Sequence, residues 1–272
     1  MYKILQKKQL NSAVTSITLD APLIAKKVKP GQFVIVRIDE IGERIPLTVS
    51  DFDSAHGTVT IVVQAIGAST RRLTALSEGD SVLDVVGPLG VPTEFGEPKR
   101  AIIIGGGVGC AIAYPQAKAL YNMGVDTTVI AGFRSKDIVI LEDEMKNVSN
   151  NLYITTDDGT YGEKGFVTDV LKRLLEGGEY DLVIAIGPVP MMKFVSLTTK
   201  EFGVKTIVSL NPIMIDGTGM CGGCRVNVGG EVKFACVDGP DFDGHLVNFD
   251  ELMRRNSFYR EEEAHACRMG VE

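Results

Sequence analysis

Three of the five cysteines stand close together near the end of the chain, at positions 221, 224 and 236. Cys221 and Cys224 form a C-x2-C hook around two glycines, which permit the tight turn that brings two sulfur atoms towards one point. Between Cys224 and Cys236, two strand-like segments are joined by Gly229-Gly230, a pair typical of a two-residue hairpin turn. The hairpin is expected to return Cys236 to the hook, so that three thiolates converge and a fourth ligand is needed.

An aspartate is the candidate for that fourth ligand. Plant-type [2Fe–2S] sites have the spacing C-x4-C-x2-C followed by a distant cysteine, and Asp216 stands where the first cysteine would be. We therefore predict a [2Fe–2S] cluster bound by four side chains: Asp216, Cys221, Cys224 and Cys236. The alternatives are structural zinc, which also accepts Cys and Asp, and a metal-free hook. Asp216 is also compatible with a simple Asx-turn, in which case His245 is the rival ligand.

Composition limits the classes of protein to consider. The chain has 272 residues, 44% of them hydrophobic and 23% charged, which is ordinary for a soluble globular protein of two domains. The net charge of -7 disfavours a nucleic-acid partner. The apolar stretch 101–120 is interrupted by glycines and a proline, which favours a strand, a turn and a helix over a membrane span. Residues 1–10 lack the apolar core of a signal peptide, and cysteines used as ligands favour a reducing cytoplasm.

The first third of the chain has the pattern of an antiparallel barrel. Six short segments rich in Val, Ile and Thr are separated by glycine-containing turns, with one helix at 69–76. The predicted strands lie near residues 3–10, 13–19, 32–38, 45–50, 58–65 and 82–86. We assign residues 1–97 to this β-barrel domain.

From residue 98 to residue 210 the pattern of predicted elements changes. Strands and helices alternate five times, which predicts a five-stranded parallel sheet with helices on both faces. Residues 211–272 then form the small C-terminal cluster segment and a tail, with a last helix around 249–255. The predicted fold class is therefore a β-barrel followed by an α/β sheet and a cluster segment.

Two glycine-containing segments in the α/β part are typical of nucleotide binding. The first follows a strand and opens a helix, a context in which the backbone approaches a pyrophosphate and the helix N-terminus faces its charge. The second follows the fourth strand, at the sheet edge where such folds bind ligands. The residues concerned are Gly105, Gly106, Gly107 and Gly109, then Gly187 and Pro188. The alternatives are a tight turn without ligand and an ordinary prolyl helix start.

The barrel contains a possible phosphate turn. Residues 67–72 read G-A-S-T-R-R and open the barrel's one predicted helix, so free N–H groups, hydroxyls and two arginines lie together. An ordinary capped helix is the alternative for these residues.

The order of barrel, nucleotide sheet and cluster segment resembles the ferredoxin–NADP reductase superfamily with a C-terminal cluster. Over essentially its whole length the chain is similar to two subunit types. One is the electron-transfer subunit of dihydroorotate dehydrogenase B. The other is the small subunit of NADH-dependent reduced ferredoxin:NADP oxidoreductase, also described as sulfide dehydrogenase. The second type is favoured by Asp216 in the first ligand position and by the segments 187–192, 210–214 and 236–240.

The resemblance implies which residues contact FAD. The family's first flavin segment corresponds to residues 45–48. Here Leu47 replaces a stacking aromatic residue of the family, and Ile45 stands in place of an arginine. Arg44 lies one residue early, on the opposite face of the strand. The implied FAD-binding residues are Pro46, Leu47, Thr48, Val62, Val63, Gln64, Gly67, Ser69 and Thr70.

The function implied is that of an electron-transfer subunit binding FAD, NAD(H) and one [2Fe–2S] cluster. Its expected partner is a larger flavin and iron–sulfur subunit that reduces NADP and ferredoxin by electron bifurcation. The alternatives are the dihydroorotate-linked subunit and a regulatory flavin/NAD-binding module with structural zinc. The chain has no array of catalytic side chains, which fits chemistry performed by cofactors. Residues 134–137 leave the choice between NAD and NADP open, and the subunit resemblance favours NAD(H).

Overall fold

A computed structural model describes residues 1–259, 261–262 and 264–265. Its N-terminal part is one antiparallel sheet of seven strands in the order β6-β1-β2-β5-β4-β3-β7. The elements are β1 (Tyr2–Gln9), β2 (Val14–Asp20), α1 (Pro22–Ala25), β3 (Phe33–Arg37), β4 (Ile45–Asp53), β5 (Thr58–Gln64), α2 (Ala68–Ala75), β6 (Ser81–Val82) and β7 (Asp84–Leu89). Since β6 and β7 follow each other in the chain and lie at opposite edges, the sheet nearly closes into the predicted barrel.

Side-chain alternation explains why these segments form a barrel. In β5, residues Val59, Ile61 and Val63 are fully buried, and their neighbours along the strand are half-buried. Successive side chains of a strand point to opposite faces, so every second residue of β5 reaches the barrel interior. The one-turn helix α1 was not predicted.

The second part is the predicted parallel sheet followed by the cluster segment. Its elements are β8 (Arg100–Gly106), α3 (Cys110–Asn122), β9 (Asp126–Phe133), α4 (Glu142–Lys146), β10 (Asn151–Thr156), β11 (Glu163–Lys164), α5 (Val167–Gly177), β12 (Leu182–Ile186), α6 (Val189–Glu201), β13 (Lys205–Ser209), β14 (Arg225–Val228), β15 (Glu231–Phe234), β16 (Asp241–Asp243) and α7 (Phe249–Arg255). The sheet order is β11-β10-β9-β8-β12-β13-β16. The five predicted strands are present and parallel.

The edges of this sheet differ from the prediction. The two-residue strand β11 extends one edge, and β16 pairs antiparallel with β13 at the other. Strand β16 belongs to the cluster segment, so that segment contributes a strand to the nucleotide sheet. Neither edge strand was predicted, because both are too short and polar to give a hydrophobic pattern.

The cluster segment contains the predicted hairpin. Strands β14 and β15 pair antiparallel, and the turn residues Gly229 and Gly230 have φ angles of 63° and 85°. Two positive φ angles define the turn type that suits the twist of a hairpin, and glycine adopts them without strain.

One apolar core runs through all three parts of the chain. It includes Phe33 and Ile35 from the barrel, Val208 from the nucleotide sheet, and Phe242 and Leu252 from the cluster segment. The three parts therefore fold against one another. Among the residues described, no helix has the length and apolar character needed to cross a membrane.

Candidate cofactor sites

Both predicted nucleotide segments lie at one point of the parallel sheet. Strands β8 and β12 are hydrogen-bonded neighbours, with Ile186 opposite Gly105. Chain order along the sheet reverses between these two strands, and open α/β sheets bind ligands in the crevice at such a switch point. The turn after β8 and the segment Gly187-Pro188 after β12 therefore form the two walls of one crevice.

The glycines of that crevice have different roles. A side-chain carbon at Gly109 would lie 2.4 Å from the carbonyl oxygen of Ile186, and one at Gly106 would lie 2.5 Å from Sδ of Met191. Gly109 thus requires glycine for packing against the backbone that follows β12, whereas a side chain at Gly106 would displace the flexible end of Met191. Gly107 has a φ of +57°, and a carbon added there would meet no atom within 4 Å. Open space in front of a backbone that only glycine adopts readily is what the approach of a pyrophosphate requires.

The predicted flavin segments are neighbouring stretches of the barrel wall. Pro46, Leu47 and Thr48 of β4 are half-buried and pair with β3. In β5, the side chain of Val63 is fully buried in the barrel core, so only its backbone is available to a ligand. Val62 faces the other way and packs against the core of the nucleotide domain, while Gln64 is half-buried.

The predicted phosphate turn begins α2 and is engaged by a carboxylate. Gly67 precedes the helix, and its N–H donates to the Thr70 hydroxyl at 3.1 Å. The Ser69 hydroxyl donates to Glu43, whose negative charge suits the positive end of the helix. A phosphate bound at this turn would compete with Glu43 for the same donors. A carbon added at Gly67 would meet no atom within 4 Å, so the turn is open to a ligand.

The cysteines of the cluster segment divide into a buried pair and an exposed one. The Sγ atoms of Cys224 and Cys236 lie 3.2 Å apart, and both residues are buried. The hairpin thus returns Cys236 to Cys224, as predicted. Cys221 is exposed, and its sulfur accepts a hydrogen bond from the Gly223 N–H at 3.4 Å. Three free thiols in one small segment are a donor set that fits an iron–sulfur cluster.

The surroundings of these sulfurs affect their pKa values in opposite directions. The N–H groups around Cys221, that of Gly223 first, lower the pKa of its thiol. Burial, together with the neighbouring Cys224, raises the pKa of Cys236 to about 12. Cys221 therefore ionises more readily than Cys236 in the metal-free protein, and iron must displace a proton from Cys236.

The carboxylate of Asp216 hydrogen-bonds within its own loop. It accepts bonds from the Thr218 hydroxyl, from the Thr218 N–H at 2.9 Å and from the Met220 N–H at 3.4 Å. These bonds lower the pKa of Asp216, so it is ionised at neutral pH. Within the described part of the chain, no three His, Cys, Asp or Glu side chains are grouped closely enough to bind a metal. The ligand set of Asp216 and three cysteines stays a prediction.

The rival ligand His245 is occupied elsewhere. Its Nε2 atom lies 3.0 Å from the Thr199 hydroxyl on α6. Of the remaining cysteines, Cys110 is buried beside the parallel sheet, and burial raises the pKa of its thiol to about 12. Cys267 lies outside the described residues.

Sequence reasoning missed two arginines that contact the cluster loop, residues 215–224. Arg44 donates to the main-chain carbonyl of Asp216 at 3.1 Å, and Arg255 donates to that of Gly223 at 3.3 Å. The sequence relates Arg44 only to the flavin segment. No local pattern indicates these contacts, because each arginine is far from the loop in sequence.

A buried acidic residue was also missed. The Asp241 carboxylate accepts hydrogen bonds from the Thr93 hydroxyl at 2.5 Å and the Gln116 amide at 3.2 Å. Thr93 follows the barrel, Gln116 lies in α3 and Asp241 lies in β16. This network therefore joins the three parts of the chain, and burial raises the pKa of Asp241.

Comparison with known proteins places these sites in a family. Residues 211–248 match a family profile described as the iron–sulfur cluster binding domain of dihydroorotate dehydrogenase B. A Thermotoga maritima protein named as a homolog of the dihydroorotate dehydrogenase B (NAD+) electron transfer subunit is 48% identical over 96% of this chain and 92% of its own length. The chain belongs to this family of electron transfer subunits. The Geobacillus thermodenitrificans electron transfer subunit is 35% identical over 88% of this chain and 94% of its own.

A solved structure extends the family assignment to the whole fold. It is described as that of an NADH-dependent reduced ferredoxin–NADP oxidoreductase that gives insight into flavin-based electron bifurcation. One of its chains is 46% identical to this one, with a TM-score of 0.94 over 100% of this chain and 98% of that chain. The resemblance and the fold class predicted from the sequence are thus confirmed.

Proposed function

We propose that this chain is the electron-transfer subunit of an electron-bifurcating, NADH-dependent ferredoxin:NADP oxidoreductase. The observation that carries the proposal is the contact between the cluster loop and the flavin segment. Arg44, which immediately precedes β4, donates to the Asp216 carbonyl at 3.1 Å. A flavin on β4 and a cluster in the loop would therefore be neighbours, as electron transfer between them requires.

The cofactors of the proposed function are FAD, NAD(H) and one [2Fe–2S] cluster. Bound flavin supplies the change from two-electron hydride chemistry to the one-electron chemistry of the cluster. The chain's own residues bind and orient these groups. We assign Pro46, Leu47, Thr48, Val62, Val63, Gln64, Gly67, Ser69 and Thr70 to FAD, and Gly105, Gly106, Gly107, Gly109, Gly187 and Pro188 to the nicotinamide nucleotide. The corresponding parts of the chain are residues 1–97, 98–210 and 211–272.

The burial of the cysteines indicates where electrons leave the chain. Cys224 and Cys236 are 2% and 3% exposed, whereas Cys221 lies at the surface. Around it, Met220 is 87% and Ile215 is 56% exposed. An apolar rim at an exposed ligand suits a protein partner, because its burial would exclude water from the electron path. We assign this face to a larger flavin and iron–sulfur subunit, through which ferredoxin and NADP react.

A second candidate is the electron-transfer subunit of dihydroorotate dehydrogenase B itself. The family profile matched by residues 211–248 favours it. Two observations favour the first candidate. The oxidoreductase structure superposes on 100% of this chain with a TM-score of 0.94. In addition, Asp216 stands where plant-type spacing places a cysteine.

The partner subunit decides between these candidates. The chain is purified from its native cell with whatever is bound to it, and the partner is identified by mass spectrometry. The complex is then assayed with NADPH, NAD+ and ferredoxin, and separately with dihydroorotate and NAD+. We expect turnover only in the assay with NADPH, NAD+ and ferredoxin. Turnover with dihydroorotate would establish the second candidate, and a preparation without flavin, iron and acid-labile sulfide would refute both.

A further inference from the structure

Arg44 lies between the two predicted redox sites. It directly precedes β4, whose residues 46–48 form the first flavin segment. Its Nη2 atom donates to the carbonyl oxygen of Asp216, 172 residues further along the chain. One guanidinium thus contacts the backbone of the predicted fourth ligand.

The guanidinium is only partly satisfied by the contacts within the chain. Its Nε–H is shielded from solvent and lacks a hydrogen-bond acceptor within the described residues. A buried donor left without an acceptor destabilises the folded protein. A negatively charged group bound beside the loop would accept this hydrogen bond and remove the cost.

A second cation approaches the same loop from the other end. Arg255 on α7 donates to the carbonyl of Gly223, inside the C-x2-C hook, at 3.3 Å. The cluster loop is therefore tied by its backbone to the barrel through Arg44 and to α7 through Arg255. Three thiolates and a carboxylate give a [2Fe–2S] site a net negative charge, which grows on reduction, and nearby cations favour the more negative state.

We propose that Arg44 is a positioning residue for the cluster, resting on the proposed function above. It fixes the loop of Asp216 against the flavin segment, and its charge favours the reduced state of the cluster. The role is distinct from binding the FAD pyrophosphate, for which a basic residue at this point of the barrel would otherwise be considered. Charge and donor geometry are separable, because lysine keeps the charge and loses the planar fork.

The test uses the purified chain with its cofactors and three variants. Arg44→Gln removes the charge, Arg44→Lys retains it, and Arg37→Gln is the matched control. Arg37 lies in the same barrel and pairs with Asp84 at 2.7 Å. Iron, sulfide and flavin contents are measured first, and the midpoint potential of the cluster is then followed by EPR. We expect Arg44→Gln to lower that potential and alter the EPR signal, Arg44→Lys to give a smaller shift, and Arg37→Gln to match wild type.

A second measurement does not require a bound cluster and can therefore be made on a variant that loses it. Hydrogen–deuterium exchange of residues 215–224 is compared in metal-free proteins. Loss of one charge-assisted hydrogen bond should accelerate exchange in the loop about tenfold in Arg44→Gln. An unchanged potential and EPR signal, or unchanged exchange in the metal-free form, would overturn the proposal. Weaker FAD binding at an unchanged cluster potential would assign Arg44 to the flavin phosphates instead. Absence of iron from the wild-type protein would refute the proposed function rather than this inference.

Discussion

The hydroxyl of Ser50 donates a hydrogen bond of 2.7 Å to the main-chain carbonyl of Ala111. That carbonyl precedes Pro115 by four residues in α3, and proline has no N–H to offer it. Although this hydrogen bond of the helix is missing, α3 continues past Pro115 to Asn122. The donor missing from the helix is supplied by strand β4 of the barrel, so the flavin and nucleotide domains are joined at this point.

Substitutions at Ser50 and Pro115 test whether the Ser50 hydroxyl replaces the missing helix donor. Ser50→Ala leaves a buried carbonyl without a donor and should reduce the free energy of unfolding by about 1–2 kcal/mol. Pro115→Ala restores an N–H within the helix, so Ser50→Ala should cost clearly less in that background. The four proteins of this double-mutant cycle are compared by urea unfolding. Equal effects of Ser50→Ala in both backgrounds would contradict the assignment.

The role of Gly107 in nucleotide binding can be tested with a second glycine of positive φ as the control. Gly124 has a φ of +81° and, like Gly107, an unobstructed Cβ direction, but it lies beyond the end of α3. Asn tolerates positive φ better than other residues and adds bulk. Gly107→Asn and Gly124→Asn should lose similar stability, and only the first should slow NADH-driven flavin reduction in stopped flow while retaining FAD. Normal kinetics in Gly107→Asn would remove the nucleotide from this turn.

The fourth cluster ligand is tested by three substitutions. Asp216→Cys should keep the cluster and give an all-thiolate spectrum, with a lower potential because thiolate donates more charge. Asp216→Ala should lose iron. His245→Ala should leave iron content and the EPR signal unchanged, since His245 lies 3.0 Å from the Thr199 hydroxyl. The opposite pattern, with iron lost only from His245→Ala, would make His245 the ligand.

The buried carboxyl of Asp241 predicts a pH dependence of stability. Burial raises its pKa above the ordinary 3.8, and the side chains that hydrogen-bond to it, Ser209, Thr93 and Gln116, are neutral. An acid with a raised folded-state pKa binds more protons in the folded protein, so its contribution is greatest below pH 3.8 and is lost as pH rises through the folded pKa. Asp241→Asn should therefore gain stability relative to wild type as pH rises above about 4. Melting temperatures from pH 4 to 8 measure the difference, and a constant difference would contradict the burial of the charge.

The carboxylate at the phosphate turn predicts a change in flavin affinity. Glu43 accepts a hydrogen bond from Ser69 at the start of α2, where FAD phosphate is proposed to bind. Glu43→Gln removes a competing negative charge and should tighten FAD binding about two- to fivefold, the usual size of a charge effect at a helix terminus. Titration of flavin-free protein with FAD gives the affinity. Glu40→Gln, a change of equal charge in the same loop, should have less effect.

The parts of the structure that were predictable depend on neighbours in sequence. Strand alternation in residues 58–64 and the Gly229-Gly230 turn follow from local stereochemistry, and both are as predicted. The return of Cys236 to Cys224 follows from the hairpin alone. These features need no information about the rest of the chain.

The features that were missed depend on distant segments. Strand alternation placed Arg44 on the face away from the flavin, but could not name its acceptor, Asp216. Strand β16 consists of Asp-Phe-Asp, which has no strand pattern, and it forms because β13 offers an unpaired edge. The donor for the Ala111 carbonyl lies 61 residues away, at Ser50. Such pairings are set by how the domains pack.

The attachment of β16 to β13 means that the cluster segment cannot be treated as a transplantable module. Ser209, Val208 and Ile207 are paired with Asp241, Phe242 and Asp243, and the Leu210 N–H donates to the carbonyl of Pro240 at 2.9 Å. A chain truncated after residue 210 would expose the backbone of β13, and an uncovered apolar edge strand is a template for strand addition between molecules. Removal of the segment would therefore produce a self-associating flavoprotein, and grafting it onto another reductase would require a sheet with a free edge of matching length.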